Sequence, residues 1–268
     1  MATNPFRFAV TALPAPNLGD WASYARAVEA DGFDALLIPE NYPLPDGFTA
    51  AGVALGATTT LEVGTFVVAS PLHDPRHAAW QARSLATVSG GRFRLGIGTG
   101  RPDVAADAEA LGVPYGTAGE RLARVQQTID ALAEIDGDGP HTPVLLAAGG
   151  PKALALGAAR ADTVALAVPP STTAQQLAAA TEPLRGRVEI AASVFVVGRE
   201  APEFVQRFIG SDLDALAAND SPALLDGDTD QICETLIRRR EQYGISLLSL
   251  GGHTVDAMRP VVARLRGR

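Results

Sequence analysis

Five places in this 268-residue chain set polar or side-chain-free residues directly after an apolar run. They are Glu40-Asn41-Tyr42, Ala69-Ser70-Pro71-Leu72-His73, Gly98-Thr99-Gly100-Arg101, Gly149-Gly150-Pro151-Lys152 and Gly251-Gly252-His253. Glu40 offers a carboxylate and Asn41 an amide, the first polar pair after their run; an acid there also serves as an ordinary solvated loop residue. His73 is a candidate acid or base because imidazole titrates near neutral pH, and it is equally a candidate for a hydrogen-bonded loop residue. His77 follows it, but Pro75 and a loop intervene, so the two do not make a helical metal pair.

The glycines carry a different signal. Gly98-Thr99-Gly100 stands where a short strand runs out, and glycine permits positive φ or a close approach to the main chain. A ligand is the expected visitor at a strand end, although a plain strand-to-helix turn uses the same residues. Gly149-Gly150-Pro151-Lys152 is the best phosphate candidate. Its amides are bare, Pro151 suits a first helical turn, and a helix N-terminus favours an anion. Lys152 adds a positive charge, unless it snorkels at the helix start or the segment is a bare connection.

These residues need elements to hold them, and the chain alternates strand-like with helix-like segments. Strands are expected at 6–12, 33–39, 61–68, 93–97, 143–148, 162–168, 188–197 and 245–250. Helices are expected at 20–31 with Asp20 as cap, 49–57, 76–88, within 103–135, and at 152–160, 175–184, 202–218, 228–243 and 255–266. Strands apolar along their whole length are buried on both faces, as parallel strands are. Eight βα units in this length predict an α/β fold of the (β/α)8 TIM barrel type, with the site at the carboxyl ends of the strands. An open doubly wound sheet is the rival, but its fingerprint wants a glycine where Arg101 stands.

Composition narrows the class. The chain is 47% hydrophobic with a net charge of −8, enough for one large core and without a basic stripe for nucleic acid. No apolar run approaches the ~20 residues that span a bilayer, and the N-terminus lacks a signal-peptide pattern. A single cysteine, Cys233, sits in a helical pattern and reads as a buried thiol; with no internal disulfide possible, a cytoplasmic home is expected. Four scattered histidines give a metal site no support. No linker, repeat or second domain is evident, so residues 1–268 read as one domain. Lys152 is the only lysine.

The run from Leu61-Glu62-Val63-Gly64-Thr65 through His73-Asp74-Pro75-Arg76-His77 to Ser89-Gly90-Gly91-Arg92-Phe93-Arg94-Leu95-Gly96-Ile97-Gly98-Thr99-Gly100 resembles the bacterial luciferase-like monooxygenase superfamily. It is more closely similar to the branch that uses the deazaflavin coenzyme F420. Phe33 to Glu40, Leu111 to Tyr115 with Glu120-Arg121, and Pro143 to Leu154 support the match.

The resemblance implies a hydride-transferring oxidoreductase acting between coenzyme F420 and a small organic substrate. An FMN-dependent monooxygenase or a non-catalytic flavin-binding barrel is the alternative. It implies that Ala69 and Ser70 contact the ring near a non-proline cis peptide around 68–70. It places Gly98, Thr99 and Gly100 against the cofactor, and Gly149, Gly150, Pro151 and Lys152 on its phosphate. It also implies a homodimer. Two departures stand out: many members carry histidine where Asn41 stands, and some carry an acid where Arg101 stands. His73, Tyr115, Glu40 or His253 must then supply any proton; His73 is the first choice, with Asn41 positioning ring or substrate. Little is inserted between the elements, so an open substrate mouth is expected.

Overall fold

The computed structural model describes residues 4–12, 21–210 and 212–268; the expected cap Asp20 lies outside them. Its strands are β1 (Arg7–Thr11), β2 (Ala35–Ile38), β3 (Glu62–Thr65), β4 (Val68–Ala69), β5 (Phe93–Gly98), β6 (Val144–Ala148), β7 (Thr163–Leu166), β8 (Glu189–Val194), β9 (Val196–Val197), β10 (Leu224–Leu225) and β11 (Ile245–Gly251). The helices are α1 (Trp21–Ala30), α2 (Gly47–Ala57), α3 (Pro75–Val88), α4 (Val104–Ala110), α5 (Ala118–Asp136), α6 (Pro151–Arg160), α7 (Ala174–Thr181), α8 (Glu203–Ile209), α9 (Leu213–Ala218), α10 (Thr229–Tyr243) and α11 (Val255–Leu265).

The main sheet runs β3-β2-β1-β11-β8-β7-β6-β5, and β3 pairs with β5 to close it. All of these pairings are parallel, so among the described residues the expected eight-stranded barrel is present. Side chains alternate between the barrel axis and the helices, as the period of two requires. Phe93, Leu95 and Ile97 of β5 join the large outer core under the helices. Ala9, Ala35, Leu37, Leu145, Ala165, Ala191 and Leu247 fill the axis, with Phe66 and Val67 packed above them. At the amino end an ion-pair layer completes the filling. Glu62 takes Arg7 at 2.7 Å and Arg94 at 2.8 Å, and Arg94 also donates to Thr163 at 3.1 Å.

The closing seam is tight. The inward positions of β5 after Arg94 are Gly96 and Gly98. A Cβ at Gly96 would lie 1.7 Å from the Thr65 carbonyl oxygen, and one at Gly98 would lie 2.9 Å from a Val67 methyl. The Thr65 hydroxyl bridges the seam, donating to the Gly96 carbonyl at 2.7 Å and accepting its amide at 2.9 Å.

Three expected elements differ. The single strand over 61–68 is broken: β3 ends at Thr65, Phe66 and Val67 turn into the barrel, and β4 resumes beside β5. The strand over 188–197 leaves the barrel at Phe195, and β9 pairs with β10 outside it. The helix over 202–218 is two helices, because Gly210 takes φ +59° at the end of α8.

Two stability tests follow. Gly96→Ala should cost about 3 kcal/mol or more, since backbone must move to admit one methyl. Gly56→Ala, in α2 with open space around it, should gain ~0.5–1 kcal/mol. Urea unfolding of both variants checks the pair, and equal effects would refute the seam. Glu29 accepts the amides of Thr59, Thr60 and Leu61 before β3, and these bonds hold its carboxyl down to about 2. A depressed folded pKa means stability present above the unfolded value and lost as pH falls through the folded one. The stability gap between the parent and Glu29→Gln should therefore be full near neutrality and shrink as pH drops from about 4.5 towards 2.

Candidate active site

The carboxyl ends of the strands surround a cavity of about 620 Å³, within the range of small-molecule sites. Its two sides differ in chemistry. On the β2, β4 and β5 side stand Glu40, Asn41, Ala69, Gly100 and Arg101, over a floor of Phe66 and Val67. On the β6, β7 and β8 side stand Ala147, Ala165 to Pro170, Ala192, Ser193, Phe195, Phe208, Pro222 and Ala223. That second side bears no charge.

Glu40 is positioned by both of its oxygens. Oε2 accepts the Ala69 amide at 2.9 Å, and Oε1 meets His73 Nε2 at 2.7 Å. The imidazole packs edge-on against Phe48, with ring centroids 5.7 Å apart. His73 is not on the cavity wall; its side chain is 20% exposed, behind Glu40. The expected proton donor therefore reaches the cavity only through the carboxylate. No described residue takes a hydrogen bond from the Asn41 amide, which is left for a ligand. Arg101 spends its guanidinium on Asp103, at 3.1 and 2.8 Å, and that contact holds the Asp103 carboxyl below its ordinary range.

Other expected donors are already engaged. Tyr115 gives its hydroxyl to the Arg101 carbonyl at 2.8 Å. His253 Nε2 donates to the Phe195 carbonyl at 2.9 Å, and neither ring lines the cavity. Ser70 is buried, with its hydroxyl on the Arg121 carbonyl.

The glycine readings change in kind. The close approach expected from a ligand at Gly98 is made by Val67, and Gly98 and Thr99 are not on the cavity wall. Gly100, at φ +77°, does line it. Gly149 likewise admits main chain, since a Cβ there would sit 2.1 Å from the Ala167 carbonyl oxygen. Gly150 has open space, its helix α6 has no side-chain cap, and Lys152 is exposed beside it. The chain runs from Ala147 on the wall straight to that helix N-terminus. The expected cis peptide around 68–70 falls instead at Phe66–Val67.

Sequence reading missed the residues that hold the loops. Arg121 Nε donates to the Thr99 carbonyl at 2.9 Å, while its guanidinium lies 4.1 Å over the Tyr115 ring. Arg124 reaches the Ser70 carbonyl at 3.1 Å and the His73 carbonyl at 2.6 Å. Arg239, buried in α10, donates to Asp220 and to the Ser221 and Leu224 carbonyls, fixing the segment that carries Pro222 and Ala223. Two arginines three apart on one helix face were the available signal for the first pair; nothing local announced Arg239.

Residues 3–217 match the luciferase-like monooxygenase family, and the chain belongs to it. An uncharacterized protein of Mycobacterium tuberculosis is 34% identical over 137 residues, covering 42% of this chain and 46% of that one. The 5,10-methylenetetrahydromethanopterin reductase of Methanolobus tindarius is 27% identical over 174 residues, 59% of this chain and 52% of the relative. The matches thus span about half the length of these curated relatives. Among solved structures, an F420-dependent secondary alcohol dehydrogenase bound to an F420-acetone adduct superposes with TM-score 0.73 at 15% identity, over 98% of this chain and 99% of that one. The FMN-bound oxygenating constituent of 3,6-diketocamphane monooxygenase from Pseudomonas putida gives 0.70 at 14%, over 98% of each chain. At these identities the likeness is one of fold.

Removing a loop tie tests the site's construction. Arg124→Met should cost ~1–3 kcal/mol in urea unfolding, because it takes charged donors from two carbonyls. It should also speed proteolysis within residues 70–74. Unchanged cleavage would mean that the loop is held by other contacts.

Proposed function

We propose that the chain is an oxidoreductase that moves a hydride between coenzyme F420 and a small organic substrate at the mouth of the barrel. The observation that carries this reading is the cavity itself. It is apolar, large enough for a ring system, and bounded by one carboxylate, one free amide and a run of chain leading to an uncapped helix N-terminus. The alcohol dehydrogenase named above supports it, being F420-dependent by its name, and the methanopterin-linked relative is likewise named a reductase.

The residues present fit a ring with a phosphate-bearing tail. When bound, the deazaflavin supplies the hydride carrier. Phe66, Val67 and Ala69 give the ring an apolar seat, and Asn41 donates to or accepts from a ring-edge polar atom. Gly150 and Lys152 offer bare amides and a cation to the phosphate. The apolar far wall excludes water from the transfer. Glu40 Oε1 is where a proton passes between His73 Nε2 and the cavity, and the Ala69 amide holds the carboxylate in place through Oε2.

A second reading rests on the FMN-bound structural neighbour: the same mouth would take FMN and run a monooxygenation. Fluorescence titrations with F420 and with FMN separate the two. F420 should bind and FMN bind more weakly; the reverse order assigns the second reading. In the F420 titration Lys152→Ala should weaken binding by ~1–3 kcal/mol, the range for a charge-assisted contact. Unchanged affinity would take Lys152 out of the phosphate site. The expected homodimer stands as part of this proposal, and light scattering of the purified chain checks it.

A further inference from the structure

The reading above leaves the far side of the cavity without a tenant. Pro169, Pro170, Phe195, Phe208 and Pro222 wall it, and no charged side chain reaches in. An ion entering there would lose its hydration with no partner to replace it, which disfavours charged ligands. One polar group stands in this wall. Ser193 follows Ala191 by two residues on β8, and Ala191 lies on the barrel axis, so Ser193 faces inward one step nearer the mouth. Its hydroxyl has no hydrogen-bond partner among the described residues. The neighbouring inward hydroxyls are spent on each other, Thr11 with Ser249 at 2.6 Å.

The wall is also held from behind. Ser221 donates to the Pro170 carbonyl at 2.6 Å, and Arg239 clamps the Ser221 carbonyl at 2.8 Å. The shape is therefore set before any ligand arrives. At the rim Phe208 is 56% exposed yet lies 5.1 Å from Phe195, centroid to centroid. A large apolar ring left that open at a cavity edge gains by covering an apolar ligand.

From this we infer that the far side is the substrate subsite, that it takes an uncharged, largely apolar molecule with one hydrogen-bonding oxygen, and that Ser193 receives that oxygen while Phe208 covers the molecule's apolar body. The inference rests on the cofactor ring occupying the Glu40 side with its tail leaving along β6, which leaves the β7 and β8 part of the far wall to the substrate. Ser193 is a specificity-determining residue that sequence reading passed over as strand interior.

Three near-isosteric probes test it on the full chain: acetophenone, α-methylstyrene and benzoate, followed by ligand-observed NMR with and without F420. Acetophenone should bind at least about tenfold tighter than benzoate. Ser193→Ala should weaken acetophenone about two- to tenfold and leave α-methylstyrene unchanged. Phe208→Ala should weaken both neutral probes alike. Benzoate binding as tightly as acetophenone overturns the proposal, and so does a Ser193→Ala variant that preserves the ketone preference. Should Ser193→Ala fold poorly by circular dichroism, the ranking of the three probes on the parent decides. Ketone binding that depends on Ser193 in a chain that fails to bind F420 would keep the subsite and remove the cofactor reading. F420 binding without ketone binding would do the opposite.

Discussion

The mouth of this barrel depends on the space left by two missing side chains. Gly96 and Gly98 occupy inward positions on β5, and the segment Thr65-Phe66-Val67 fills what they vacate. That exchange does three things at once. It closes the sheet between β3 and β5, it sets a solid floor beneath the cavity, and it turns β4 so that the Ala69 amide points at Glu40. A side chain at Gly96 would collide with backbone, which cannot rotate away as the end of a lysine or methionine can. The carboxylate at the wall is thus oriented by the geometry of the seam through one oxygen and by His73 through the other.

The loops above the floor are held by a different means. Their backbone carbonyls accept from arginines on helices outside the barrel: Thr99 from Arg121, Ser70 and His73 from Arg124, and Ser221 and Leu224 from Arg239. A guanidinium suits this work because its several donors are fixed in one plane and stay charged. The clamps bind mainly main chain, Arg239 taking the Asp220 carboxylate as well, so the residues facing the cavity can differ without loosening the frame. This accounts for a site with few charged groups in a chain that carries 22 basic residues.

Much of the frame was legible in advance. Continuous apolar runs with helical segments between them have few packings, and a closed parallel barrel with its site at the carboxyl ends follows from their number. Glu40, Asn41, Ala69 and Gly100 were expected at the mouth and line it. The glycines were harder. A bare main chain signals close approach but does not say by what, and at Gly98 and Gly149 the visitor is the protein's own chain. The break after Thr65 was hidden because Phe66 and Val67 are as apolar as the strand they interrupt. His73 was legible as a titratable group, but only coordinates place it behind Glu40. Ser193 was invisible for the opposite reason: a lone hydroxyl in an apolar strand carries no pattern.

The two sides of the cavity also differ in how they handle charge, and the difference follows from the strands that build them. On one side Glu40 lies on the wall with both oxygens occupied, and His73 links it outward to solvent. A proton can enter there without an ion crossing the apolar interior. On the other side the chain leaves the barrel after β8 at Phe195, β9 pairs with β10 outside it, and Pro222 and Ala223 come to line the mouth. Prolines in that wall have no amide hydrogen to leave unsatisfied, so its backbone presents few unpaired donors to an apolar ligand. A charged group would find no counter-ion against it. A titratable pair and an apolar wall are thereby kept on opposite sides of one chamber, which is the separation that the proposed hydride transfer to a neutral molecule calls for.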